Sequence, residues 1–123
     1  YINNCELYME PGRWLCHTSM QIMLQVIDKK EPRLVITDGG TNTVGWEIYE
    51  ENYFPVVNLT RPSRKERRCM LLGSLCTPHD VWGYAYFGED IQEGDILLIP
   101  NQGAYTYSLR QHFIKPIAEV VKV

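Results

Sequence analysis

Between Ser19 and Lys29 the chain alternates in character residue by residue. Met20, Ile22, Leu24 and Val26 interleave with Ser19, Gln21, Met23 and Gln25. Successive side chains of a strand point to opposite faces, so a period of two marks a half-buried strand running to about Lys29. Leu34-Val35-Ile36-Thr37 is a second β-branched run, stopped by the turn residues Asp38-Gly39-Gly40. Further strands are expected at Phe54–Leu59, Cys69–Leu72, Val81–Phe87, Ile96–Pro100 and Ile117–Val121, the last of them closing the fold. A short helix over about 42–50 would carry Val44, Ile48 and Tyr49 on one face. A chain of many short strands must cover its sheet edges. The expected fold is therefore mainly β, a Greek-key-like β-sandwich or partly closed barrel with one or two short helices.

The 123 residues suffice for one core that buries roughly two thirds of the unfolded chain's surface. With 12 Lys and Arg against 15 Asp and Glu, a net charge of -3 gives no pull toward nucleic acid or an anionic membrane. No apolar stretch is long enough to span a bilayer, and Tyr1-Ile2-Asn3-Asn4-Cys5 is not the start of a signal peptide. The first residue is not Met, which implies an excised or mature piece of something longer. Cys5, Cys16, Cys69 and Cys76 form no CxxC pair and are read as reduced thiols, pointing to the cytoplasm. That compartment also argues against use of the glycosylation triplet Asn58-Leu59-Thr60. The run from Arg61 to Arg68 holds five basic residues and one acid, with no interleaved aromatics, and reads as a solvated loop.

Three strings carry chemistry. Glu10-Pro11-Gly12-Arg13 is a turn in which Arg13 offers a planar fork suited to phosphate, and Gly12 a bare backbone that a ligand can approach closely. Gly73-Ser74-Leu75-Cys76-Thr77-Pro78-His79-Asp80 presents a thiol that is either a small buried hydrophobe or a general acid. Gly94-Asp95-Ile96-Leu97-Leu98, followed by Gly103-Ala104-Tyr105, is a strand, a loop and an aromatic. A metal site from Cys76, His79 and Asp80 with Cys16-His17 lacks the paired ligand spacing of zinc centres. A cysteine hydrolase using His17, His79 or His112 lacks any local signature.

In this order and at these intervals the strings resemble the C-terminal part of the fold-type III pyridoxal-phosphate amino-acid decarboxylases, the group that contains ornithine and diaminopimelate decarboxylases. The resemblance implies that residues 1–18 end a TIM-type barrel and that residues 19–123 are the C-terminal β domain. It implies pyridoxal 5'-phosphate as cofactor, with Gly12, Arg13 and the Tyr105 hydroxyl on its phosphate and Glu10 on its pyridine nitrogen. Cys76 would reach into the active site of a partner subunit and protonate the substrate carbon after decarboxylation. Asp80 matches a subunit-contact acid, Tyr49 a substrate-pocket tyrosine and Phe113 an aromatic wall. The implied partners are an amino-acid substrate, the upstream barrel of the parent chain and a second copy in a homodimer, with no nucleic acid and no membrane.

Two departures bear on the substrate. Gly45 stands where diaminopimelate enzymes have Arg, and Thr77 where the family has Glu or Asp, so a second carboxylate or a distal ammonium lacks its usual partner. None of Lys29, Lys30, Lys65, Lys115 and Lys122 matches the context of the family's cofactor-anchoring lysine, which lies in the barrel. The segment alone is therefore expected to be inert. A non-catalytic homologue acting as a regulatory partner, and a free-standing binding barrel, are the alternatives.

Overall fold

The computed structural model of the chain describes residues 4–45 and 54–123. Its strands are β1 (Ile22–Glu31), β2 (Leu34–Thr37), β3 (Val57–Asn58), β4 (Glu66–Leu72), β5 (Val81–Phe87) and β6 (Ile96–Ile99). Three one-turn helices, α1 (Arg13–Cys16), α2 (Thr41–Val44) and α3 (Thr106–Leu109), and a 3-10 turn at His17–Ser19 complete the described elements. The strands close into a barrel in the order β1-β2-β4-β5-β3-β6. β2 with β4 and β3 with β5 are parallel, and the other pairs are antiparallel. Of the two expected architectures the barrel forms, and it is closed.

β1 makes closure possible. Ile22–Gln25 pairs with β6, while the half from Val26 onward pairs with β2. Register shifts near Asp28 and Lys29 bend the strand between its two partners. The alternation read from the sequence is the inside–outside pattern of this strand: Leu24 and Val26 are buried, Met23 and Gln25 exposed. Inside, Leu24, Val26, Val35, Cys69, Leu71, Trp82, Tyr86, Leu97 and Ile99 meet Val44, Val56 and Ile91 from the connections. The one polar function of Trp82 is satisfied, its Nε1 donating to Thr37 Oγ1 at 2.8 Å.

Several sequence expectations need correction. Ile117–Val121 forms no strand and is mostly exposed, because closure leaves no free barrel edge to pair with. The first strand starts at Ile22, since His17–Ser19 is taken by the 3-10 turn. Phe54–Leu59 shortens to Val57–Asn58, where the Asn58 side chain accepts the Thr60 and Arg61 N–H groups at 3.0 and 2.9 Å and turns the chain away. The basic run is not all loop: Glu66–Arg68 opens β4, and Arg67 pairs with Glu89 and Asp90. Asn58 is buried with its Nδ2 donating to Asp95, so the triplet offers no accessible acceptor for a glycan. Of the helix expected over about 42–50 a single turn forms at Thr41–Val44, ended by the left-handed Gly45, and residues 46–50, including Tyr49, lie outside the described residues. Among the described residues no helix is long and apolar enough to cross a membrane.

Candidate functional site

Two clusters collect the site residues read from the sequence. The first joins the chain's start to the loop after β6. Gly12 lies so close to Tyr105 that a Cβ there would overlap the phenol hydroxyl. Arg13 Nη1 donates to Ala104 O at 2.8 Å, and its guanidinium sits 5.3 Å from the centre of the Tyr105 ring, a cation–π arrangement. Gly103 fits directly against the Cys16 carbonyl and the Ser19 hydroxyl and donates its N–H to His17 O at 3.0 Å. Residues 91 apart in sequence thereby place a guanidinium and a phenol beside a bare backbone. That donor set suits a phosphate, and Arg13 and Tyr105 both remain exposed to meet one. Glu10 is exposed on the same N-terminal segment.

The second cluster is the Gly73–Asp80 loop that bears Cys76. Asp80 is 2% exposed, and its carboxylate binds on both sides. Oδ1 accepts the Thr41 N–H at 2.8 Å and the Thr41 hydroxyl at 3.0 Å, and Oδ2 accepts the Leu75 N–H at 2.8 Å. Gly40 and Gly73 flank the carboxylate so tightly that a Cβ on either would overlap it. The loop closes on itself through Gly73 N–H to Asp80 O at 2.8 Å. From the C-terminal segment, Lys115 Nζ donates to Ser74 Oγ at 2.6 Å, and that hydroxyl donates to Asp38 O at 3.1 Å.

α2 and α3 link the clusters: α3 begins directly after Tyr105 and packs on α2, whose first residue binds Asp80. Gly45 ends α2 in a left-handed conformation, φ +61°, with a would-be Cβ 2.9 Å from both Leu109 Cβ and Thr106 O. No larger side chain fits there without strain. Cys76 is exposed, as are Cys5 and Cys16, whereas Cys69 is buried and its thiol is pushed up to about 11 by desolvation. Phe113 is about half exposed on the segment that Lys115 anchors. Sequence reading missed Thr41, Ser74 and Lys115. Thr41 had a signal, a hydroxyl just after Gly39-Gly40 where a helix starts; Lys115 had none, since its partner lies 41 residues away.

Comparison with known proteins bears on the family and the fold. The family model described as pyridoxal-dependent decarboxylase, C-terminal sheet domain, matches residues 8–103. The diaminopimelate decarboxylase of Campylobacter jejuni is 30% identical over 108 residues, 85% of this chain and 27% of that protein. That of Methanocaldococcus jannaschii is 30% identical over 110 residues, 87% of this chain and 25% of that protein. Among solved structures, diaminopimelate decarboxylase from Helicobacter pylori complexed with L-lysine superposes with a TM-score of 0.70 at 26% identity, covering 83% of this chain and 26% of that one. The enzyme from M. jannaschii gives a TM-score of 0.69 at 28% identity, covering 83% of this chain and 24% of that one. The chain spans about a quarter of the length of the curated relatives it matches. With a matched fold and a family model that matches most of its length, the chain belongs to the pyridoxal-dependent decarboxylase family, through its C-terminal sheet domain.

Proposed function

We propose that this chain is the C-terminal part of a cytoplasmic, homodimeric pyridoxal-phosphate-dependent amino-acid decarboxylase. Residues 1–18 end its barrel, residues 19–123 form its β domain, and the upstream barrel supplies the cofactor-anchoring lysine. The observation that carries this reading is the convergence of Gly12, Arg13 and Tyr105. Arg13 and the Tyr105 hydroxyl would hold the phosphate oxygens, the hydroxyl using the space that a side chain on Gly12 would take. Glu10 would pair with the pyridine nitrogen and keep it protonated. When bound, the cofactor supplies the electron sink that takes up the charge left by departing carbon dioxide.

Cys76 acts afterwards. Its thiol donates a proton to the substrate's α-carbon in the site of the partner subunit, a general-acid step that fixes the product as an amine. Exposure of Cys76 on a bonded loop supports this, where a purely structural cysteine would sit like Cys69. Tyr49 and Phe113 complete the pocket, whereas Asp80, expected as a subunit-contact acid, is buried with both carboxylate oxygens bonded within its own chain and serves the loop from inside. The relatives are named for diaminopimelate, an amino acid with a second carboxylate. The left-handed backbone and filled space at Gly45 leave no room for a longer side chain and favour a different anchor for the far end of the substrate in this chain.

Titration with pyridoxal phosphate tests this. The isolated chain should bind it weakly, because the site is completed by the barrel. In the full-length parent, Arg13→Ala and Tyr105→Phe should each weaken cofactor retention by about tenfold, the worth of one hydrogen bond to a charged group. Tight, borohydride-trappable attachment of the cofactor to a lysine of the isolated chain would overturn the proposal.

A further inference from the structure

We propose that Asp80 and Lys115 are positioning residues for Cys76, holding the Gly73–Asp80 loop from two independent elements so that the thiol is presented in one fixed orientation. The inference rests on the reading of Cys76 as the proton donor. A thiol that must deliver a proton to one carbon needs a defined direction, and reacting atoms misplaced by about 1 Å lose much of the rate. A loop with no strand pairing of its own has to obtain that definition from its anchors.

The anchors act on the two residues that precede the thiol. The Leu75 N–H donates to Asp80 Oδ2 at 2.8 Å, fixing the Ser74–Leu75 peptide, one removed from Cys76. The other oxygen of the same carboxylate takes both donors of Thr41, so the loop is tied to the start of α2. Both are bonds to a charged acceptor, stronger than neutral ones. One residue further back, Ser74 is gripped by Lys115 at 2.6 Å and leans on Asp38 O, which Lys115 also reaches at 3.4 Å. Gly40 and Gly73 leave the room the carboxylate fills. Although the C-terminal segment forms no strand, its lysine clasps the loop from outside the barrel.

Hydrogen exchange and steady-state kinetics on the full-length parent test this together. In Lys115→Met, which keeps the stem and removes the donor, exchange at Ser74–Thr77 should accelerate by about tenfold. Turnover should fall several-fold with KM for the amino acid unchanged, and Lys115→Arg should restore most of both. Asp80→Asn, which turns one acceptor oxygen into a donor facing an N–H group, should accelerate Leu75 exchange further. Unchanged exchange in Lys115→Met and in Asp80→Asn overturns the proposal, as does faster exchange with full turnover in a parent that Cys76→Ala inactivates. The donor reading is judged separately, by Cys76→Ala alone: full turnover in that variant sinks it, while the exchange data still decide whether the loop is held.

Discussion

Asp95 is the residue on which the most separate parts of the barrel depend. It is 1% exposed, its Oδ2 accepts Asn58 Nδ2 at 2.8 Å and the Gln92 N–H at 2.9 Å, and its Oδ1 accepts Arg61 Nε at 3.0 Å. Removing the carboxylate strands the buried Asn58 amide and the half-buried Gln92 N–H, whereas removing Arg61, half exposed, leaves a carboxylate that still has two partners. Asp95→Ala should therefore cost about 2–4 kcal/mol in a denaturant melt, and Arg61→Ala about 1 kcal/mol or less. Cysteine chemistry separates just as clearly. With its thiol pushed up to about 11, Cys69 should resist alkylation at neutral pH while Cys5, Cys16 and Cys76 are labelled, as peptide mass spectrometry would resolve. Because folding raises that pKa from 9.0, the neutral buried thiol stabilises the fold below about pH 9, and this contribution fades as pH rises toward 11.

At the scale of elements, what was legible in the sequence is what repeats locally. Leu24 and Val26 of β1, the β-branched run of β2 and the β5 run declared themselves by period and composition, and the structure has strands there. Elements defined by distant partners were not legible. Ile117–Val121 has the composition of a strand, but pairing is a property of available edges, and the closed barrel has none. Arg67 and Arg68 read as loop because charge hid the pattern: Arg68 faces outward with Glu66, while Arg67, on the face of Cys69, is half-buried and paired with Glu89 and Asp90. Of the candidate site, Gly12, Arg13 and Tyr105 were legible through their strings, while the Thr41, Ser74 and Lys115 contacts exist only in three dimensions. The loop anchored on Asp80 has a test of its own: Gly73→Ala would drive a Cβ into the Asp80 carboxylate and toward Gly40, at a cost of about 1–3 kcal/mol in thermal melting.

The whole molecule exposes apolar side chains at both ends of the chain. Leu7, Tyr8, Met9, Trp14 and Leu15 lie open at the start, and Tyr107, Leu109, Phe113 and Ile114 near the end, close to the loops that bear the two clusters. This surface is available for contact with other protein. Its proposed partners are the upstream barrel and a second subunit, which would bring Cys76 of one chain to the cofactor of the other. Subunit mixing tests this most directly. A full-length Cys76→Ala chain, combined with a chain in which the barrel lysine is replaced, should recover decarboxylase activity from two inactive or impaired parents, because each heterodimer regains one complete site. Heterodimers that demonstrably form and yet show no recovered activity would contradict a site shared between subunits.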